Sequence, residues 1–117
     1  YGKGNREALD YCLELAKEAG WETVDLEGHL GYATFGQGDR LVMALGHIDV
    51  VPVSPDWKHD PFGAEIDGEY IYARGTTDDK GPTMAAWFAM RAIQAIKPDL
   101  GARLRMAFGC NEESGFG

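Results

Sequence analysis

The chain is poor in the residues that build thiolate metal sites and membrane spans. Only two of its 117 residues are cysteine, and Cys12 and Cys110 lie outside any C-x-x-C pattern. This spacing argues against a thiolate zinc site and against a disulfide framework, so we expect two buried thiols in a reducing compartment, the cytoplasm. No stretch is apolar for long enough to span a bilayer, and the N-terminus lacks a basic-then-apolar signal.

Basic residues are also few. Nineteen acidic against eleven basic side chains give a net charge of -8, which argues against nucleic acid or an anionic membrane surface as the main partner. An acid excess fits cation binding, although a solvated acidic surface is the commoner reason for it. No Gly-Lys-Ser/Thr follows the acidic segment at 78–81, so it is not a Walker A phosphate loop. The arrangement of the acids therefore has to decide.

Apolar periodicity predicts two helices. Between Asn5 and Ala19, apolar residues fall at helical spacing, and Gly20 is placed as a stop. A second helix is expected from about Pro82 to Lys97, with one apolar face. The first helix would bury Leu9, Cys12, Leu13 and Ala16, and the second Ala85, Phe88, Ala89, Ala92, Ile93 and Ile96.

Shorter apolar segments separated by glycine-rich turns predict strands. These are Trp21–Asp25, Tyr32–Phe35, Arg40–Leu45, Ala64–Asp67, Tyr70–Ala73 and Arg103–Gly109. The turn at 36–39 is the clearest hairpin signal, and the apolar run Leu41–Leu45 is typical of a central strand covered on both faces. Strands combined with two amphipathic helices indicate an α/β fold, a layered mixed sheet flanked by helices.

Polar clusters follow three of these segments. His47-Ile48-Asp49 comes after the third strand, Asp78-Asp79 after the predicted hairpin, and Glu112-Glu113 after the last strand. Ligands of open α/β sheets collect at the carboxyl ends of strands, so the three clusters are expected at one rim.

Each cluster has an ordinary interpretation and a chemical one. His47 and Asp49 project from the same face of extended backbone, and a carboxylate often orients a zinc-binding imidazole. Adjacent carboxylates such as Asp78-Asp79 repel each other unless a cation is near, but they also suit an acidic turn or a helix N-terminus. At Glu112-Glu113, one acid could bind a metal while the other handles the attacking water; a solvated loop is the alternative.

Taken together, one imidazole and several carboxylates form a nitrogen and oxygen donor set. This set suits Zn²⁺, Co²⁺ or Mn²⁺ in a hydrolytic site. Paired metal ions can clamp both the nucleophile and the carbonyl oxygen, with a bridging carboxylate. A two-metal hydrolytic centre is therefore the interpretation that accounts for all three clusters.

Several motifs occur in the order and spacing of a known family. They are Gly46-His47-Ile48-Asp49-Val50-Val51-Pro52, Trp57 with Asp60-Pro61-Phe62, Tyr72-Ala73-Arg74-Gly75-Thr76-Thr77-Asp78-Asp79-Lys80-Gly81-Pro82, and Asn111-Glu112-Glu113-Ser114-Gly115. Over most of its length the chain resembles the dizinc metallopeptidases that include aminoacylase, carboxypeptidase G, carnosinase and the PepV-type dipeptidases. Its Ala-Arg-Gly-Thr segment is most similar to the PepV-type dipeptidases.

The resemblance implies a role for each residue of the rim. His47 binds one metal ion, Asp78 bridges two Zn²⁺ ions, and Glu113 binds the second. Glu112 is the general acid/base and Asp49 orients His47. It also implies a cis peptide bond between Asp78 and Asp79, and hydrolysis of a dipeptide substrate.

The resemblance further implies that residues 1–117 are the N-terminal part of the catalytic domain. The remaining ligands and a lid or dimerisation domain would follow Gly117, so we expect the chain alone to bind metal weakly and to lack activity. Two alternatives stay open: an N-acyl-amino-acid amidohydrolase or carboxypeptidase of the same family, and a metal-binding module without chemistry of its own.

Overall fold

A four-stranded mixed sheet organises the computed structural model, which describes residues 2–97 and 99–115. The elements are α1 (Asn5–Glu18), β1 (Glu22–Leu26), β2 (Leu30–Gly36), β3 (Leu41–His47), β4 (Glu65–Asp67), β5 (Tyr70–Tyr72), α2 (Lys80–Ile96) and β6 (Arg103–Gly109). The sheet order is β1-β2-β6-β3, in which only the pair β3 and β6 is parallel. Strands β4 and β5 form the separate hairpin that the sequence predicts. The predicted α/β fold is confirmed.

Helix α1 follows its apolar pattern closely. Its buried residues are those that the helical spacing selects: Leu9, Cys12, Leu13 and Ala16. A methyl group at Gly31 of β2 would lie 2.7 Å from Leu9 Cδ1 and 3.1 Å from both Cδ atoms of Leu13. Glycine at this position therefore lets α1 pack directly on the sheet backbone.

Aromatic packing fixes α2 on the same face of the sheet. The ring centroid of Trp21 lies 4.8 Å from that of Phe35 and 4.5 Å from that of Trp87. The buried Trp21 indole also donates its N–H to Gln94 Oε1 at 2.9 Å, so its polar edge is satisfied. This tryptophan cluster joins α2 to the segment between α1 and β1.

The predicted buried face of α2 is wrong. The helix buries Thr83, Trp87 and Met90, whereas Phe88 is 66% and Ile96 83% exposed. Met, Ala, Trp, Phe or Ile occupies 11 of the 17 positions of α2, so apolar side chains lie on more than one face and their spacing allows more than one choice of buried face. The contact of Trp87 with Trp21 decides the orientation instead.

Strand β3 is not the central strand that its apolar run predicts. It lies at the edge of the sheet, paired only with β6 among the described strands. Leu41, Val42, Met43 and Leu45 are 40–65% exposed. A continuous apolar run indicates that a strand can be buried, but it does not indicate the position of that strand in the sheet.

The hairpin predicted at 36–39 is wrong as well. β6 lies between β2 and β3, so the segment 37–40 crosses over one strand instead of joining two neighbours. Gly36 has φ +91°, and a Cβ there would lie 2.3 Å from the carbonyl oxygen of Ala102. The glycines mark a close approach of the incoming β6 backbone, which a local turn rule does not consider.

The two cysteines are free and buried, as predicted. Burial raises the pKa of Cys12 to about 11, and burial also raises the pKa of Cys110. Neither thiol is therefore a reactive thiolate at neutral pH. Neither helix of the described chain has the length and apolar character that a bilayer span requires.

The close approach at Gly36 predicts a difference between two glycine substitutions. Gly101 also has positive φ (+67°), but a Cβ there meets nothing within 4 Å. Gly101→Ala should cost about 1–2 kcal/mol of unfolding free energy from backbone conformation. Gly36→Ala should cost a further amount of about 1–3 kcal/mol, because the added methyl group clashes with backbone. Urea unfolding midpoints test this, and equal losses would contradict the crossover geometry.

Candidate metal centre

The three predicted polar clusters meet at one rim of the sheet. In the parallel pair, His47 at the end of β3 lies opposite Gly109 at the end of β6. Parallel strands end on the same side, so the segment 110–113 that follows β6 arrives next to His47. Asp78 and Asp79 come immediately before α2, with Asp79 as its N-cap residue. The rim borders a cleft of about 440 Å³ that His47, Asn111 and Glu112 line in part.

His47, Asp78 and Glu113 form a group of possible metal ligands. One donor atom from each lies within 4.8 Å of the others. His47 Nε2 is 3.1 Å from Asp78 Oδ1. The imidazole is buried, with 11% of its side chain exposed, whereas the Asp78 side chain is 74% exposed. The Asp78 carboxylate is therefore open to solvent next to a buried imidazole. A set of one imidazole and two carboxylates fits a divalent metal ion.

Glu112 lies beside this group. Its Oε2 is 3.7 Å from His47 Nε2, and its side chain is 47% exposed. The carboxylate thus reaches the same space as the ligand atoms while remaining open to solvent. This placement is compatible with an acid that exchanges protons with a reacting water molecule.

Asp49 is buried behind the group, with only 4% of its surface exposed. The Nδ1 atom of His47 lies 3.2 Å from the Asp49 carbonyl oxygen and 3.4 Å from its carboxylate Oδ1. Both oxygens are acceptors on the side of the ring away from Asp78. They favour the tautomer with hydrogen on Nδ1, which leaves Nε2 to face the metal ligands.

Asp79 serves the fold and not the ligand group. Its Oδ2 accepts hydrogen bonds from the His47 backbone N–H and from the Thr83 hydroxyl, each at 3.1 Å. The peptide bond between Asp78 and Asp79 is cis, as the resemblance implies. The two neighbouring carboxylates therefore have different partners, and Asp79 ties the first turn of α2 to the end of β3.

The sequence reasoning missed three residues that support the site. A Cβ at Gly46 would lie 2.0 Å from Thr83 Oγ1 and 2.9 Å from Asp79 Oδ2, so glycine makes room for that pair. Thr83 is 2% exposed. Lys80 donates from Nζ to the Ile48 carbonyl oxygen at 2.6 Å. A polar residue four positions after Asp79 on an apolar helix was the available signal.

Burial and neighbouring polar groups shift two pKa values at the site. Burial disfavours the charged imidazole of His47, but the hydrogen bonds to the Asp78 carboxylate and the Asp49 carbonyl outweigh it, and the pKa of His47 is raised. Burial lowers the pKa of Lys80, an effect that attraction to Asp49 opposes. The oxygens of Asp49 and Asp78 therefore favour a positive charge at His47, as a cation site requires.

Comparison with known proteins identifies the family. The profile of peptidase family M20/M25/M40 matches residues 43–117. The chain belongs to this family. It is 44% identical over 114 residues to a Bacillus subtilis protein named "Putative dipeptidase YtjP" and 42% identical over 113 residues to "Putative dipeptidase SH1171" of Staphylococcus haemolyticus. These alignments cover 97% of this chain but 25% and 24% of the relatives, so the chain spans about a quarter of their length.

Solved structures agree with this assignment. The M20 family metallo-carboxypeptidase Sso-CP2 from Sulfolobus solfataricus superposes with a TM-score of 0.86 at 32% identity, over 97% of this chain and 28% of that one. Human carnosine dipeptidase 1 superposes with a TM-score of 0.84 at 23% identity, over 95% of this chain and 27% of that one. The first supports the family and the second shows the same fold.

The raised pKa of His47 predicts a pH-dependent metal affinity. Because the folded imidazole keeps its proton to a higher pH than usual, a divalent metal ion that binds it must displace that proton, and metal affinity should fall as pH drops through the raised pKa. Calorimetric titration of the full-length protein in two buffers of different ionisation heat measures the proton release. His47→Gln should abolish the pH-dependent part of this proton release. His59→Gln, a change in the exposed ion pair of His59 with Glu65, should leave it unchanged. Unchanged proton release in His47→Gln would contradict His47 as a metal ligand.

Proposed function

We propose that the full-length protein is a metal-dependent dipeptidase and that this chain is the N-terminal part of its catalytic domain. The observation that carries the proposal is the meeting of His47, Asp78 and Glu113, with Glu112 beside them, in a chain of the M20/M25/M40 family. The names of the bacterial relatives support a dipeptide as substrate. Relatives about four times longer support further parts of the catalytic domain outside this chain.

The proposed cofactors are two Zn²⁺ ions, for which Co²⁺ or Mn²⁺ could substitute. Asp78 would lie between them, with His47 holding one ion and Glu113 the other. When bound, such ions polarise water and the peptide carbonyl group. Each ion would have two protein ligands from this chain, and catalytic zinc usually has three. We therefore propose that other segments of the full-length protein complete the site and that this chain alone is inactive.

In the proposed reaction Glu112 moves the proton. It takes a proton from the attacking water and later gives it to the leaving amine of the dipeptide. The half-exposed carboxylate, 3.7 Å from His47 Nε2, supports this role because it can reach the reacting atoms without being held by the fold. Asp49 acts behind His47, where the ring nitrogen meets its carbonyl and carboxylate oxygens.

A carboxypeptidase or N-acyl-amino-acid amidohydrolase is the second candidate. The likeness to Sso-CP2, a metallo-carboxypeptidase at 32% identity, favours it. Free dipeptides, longer peptides and N-acyl amino acids, assayed side by side on the full-length protein, separate the candidates. Hydrolysis confined to free dipeptides supports the first. A protein that binds zinc and hydrolyses none of them would be the non-catalytic metal-binding module.

We also propose a cytoplasmic location. Two free, buried thiols support it, because a reducing compartment keeps such thiols unpaired.

Zinc titration tests the ligand assignment. We expect two tight sites per full-length protein, both strongly weakened by Asp78→Ala because the bridging carboxylate would serve both ions. This chain alone should bind zinc much more weakly and show no peptide hydrolysis. Calorimetry measures affinity and stoichiometry, with Asp56→Ala, an exposed acid outside the rim, as the matched control. Binding that is insensitive to Asp78→Ala would overturn the bridge.

Substitution of the proposed base tests the chemistry. Glu112→Gln keeps the size of the side chain but removes the proton acceptor, so kcat should fall by about 10²–10⁴-fold. Zinc stoichiometry should stay the same, which separates catalysis from metal binding. Glu69→Gln, at an exposed acid of the β4–β5 turn, serves as the control. A Glu112→Gln enzyme with full activity would rule out this residue as the base.

A further inference from the structure

The Asp49 carboxylate has closer partners than the imidazole that it is expected to orient. Its Oδ1 accepts the backbone N–H of Glu112 at 3.2 Å, and its Oδ2 accepts that of Glu113 at 3.0 Å. The carboxylate lies 3.4 Å from His47 Nδ1, whereas the Asp49 carbonyl oxygen lies 3.2 Å from the same atom. The Asp49 carbonyl oxygen is thus the nearer acceptor for the ring, and the carboxylate lies nearer to the two amides than to the ring.

We propose that Asp49 is a positioning residue for the Glu112-Glu113 turn, holding the proton-transfer acid and the metal ligand in register with His47. This inference rests on the proposed function for its catalytic consequence. Its structural part, one carboxylate that holds two successive amides, stands on the hydrogen bonds alone.

The charge and the burial of Asp49 strengthen this contact. Hydrogen bonds from N–H groups to a carboxylate are stronger than those between neutral groups, and Asp49 is only 4% exposed, so water competes poorly for it. The two bonds join residues 63 and 64 positions apart in the sequence. They therefore connect the loop after β3 to the loop after β6. The pairing of β3 with β6 itself ends at His47 and Gly109.

Two neighbouring contacts support the same arrangement. The Lys80 ammonium bonds the carbonyl of Ile48 at 2.6 Å and is attracted by the Asp49 charge. Asn5 Nδ2 donates to the Cys110 carbonyl oxygen at 2.9 Å, from the start of α1. The segment that precedes Asp49 and the segment that precedes Glu112 are thus each fixed by a side chain from a helix. The carboxylate then links two supported backbones, which makes its geometry well defined.

Amide hydrogen exchange on the full-length, metal-free protein tests the inference directly. In the wild type, the Glu112 and Glu113 amides should exchange at least tenfold more slowly than unstructured peptides. Asp49→Asn should lower that protection at both residues, because its NH₂ group would face one of the two N–H donors and its neutral carbonyl oxygen is a weaker acceptor for the other. Asp56→Asn, at an exposed acid, is the matched control and should change neither. Unprotected wild-type amides would overturn the inference without any variant.

Kinetics and metal binding then separate positioning of the turn from orientation of the imidazole. With zinc saturating, Asp49→Asn should lower kcat by at least tenfold while KM stays within about twofold. Weakened zinc affinity with unchanged exchange at Glu112 and Glu113 would mean that Asp49 acts only through His47, and the inference would fail. Lost protection in a protein whose wild type hydrolyses no peptide would keep the positioning role and reject the proposed function.

Discussion

The parallel pairing of β3 with β6 is the constraint on which the site depends. It places His47 and Gly109 side by side at the ends of their strands. The contacts of the Asp49 carboxylate with the Glu112 and Glu113 amides require the segments after β3 and β6 to leave the sheet at the same edge. A parallel pair cannot be closed by a short turn, so the crossover between β3 and β6 must be long. That crossover contains Asp78 and Asp79 and returns through α2. The parallel pairing of β3 with β6 therefore brings all three polar clusters to a single edge.

Close backbone packing is the second requirement, and glycine meets it at two levels. At Gly36 the missing side chain admits the carbonyl of Ala102, which lets β6 enter between β2 and β3. At Gly46 it admits Thr83 and Asp79, which lets α2 begin directly under the end of β3. Larger residues at these positions would push apart the elements whose ends form the rim. Glycine at these two positions therefore lets the strands and the start of α2 approach closely, which fixes the rim.

Local rules found the elements but not their neighbours. The helical spacing of Leu9, Cys12 and Leu13 predicted α1 and its buried face, and polar residues after apolar strands located the rim. The sequence did not indicate that β6 separates β2 from β3, because that pairing joins residues about 70 positions apart, such as Thr34 and Arg105. The predicted buried face of α2 was wrong for a related reason: apolar residues lie on more than one of its faces, and the long-range contact of Trp87 with Trp21 decides between them. The ligand group was recognisable from residue types, whereas the contacts of Asp49 with two amides depend on a backbone that no local pattern describes.

The acids of the rim also divide in a way that explains how so much negative charge is tolerated. Asp49 and Asp79 are occupied by N–H and hydroxyl donors from the fold, so their charge is stabilised whether or not a cation is present. Asp78 and Glu112 remain substantially exposed, at 74% and 47% of their side chains, and water can solvate them in the absence of a ligand. In the Asp78-Asp79 pair, Asp79 therefore belongs to the framework and Asp78 to the open group around His47. The fold thus satisfies two of the five rim carboxylates, Asp49 and Asp79, and leaves Asp78 and Glu113 beside His47, where a divalent cation can bind.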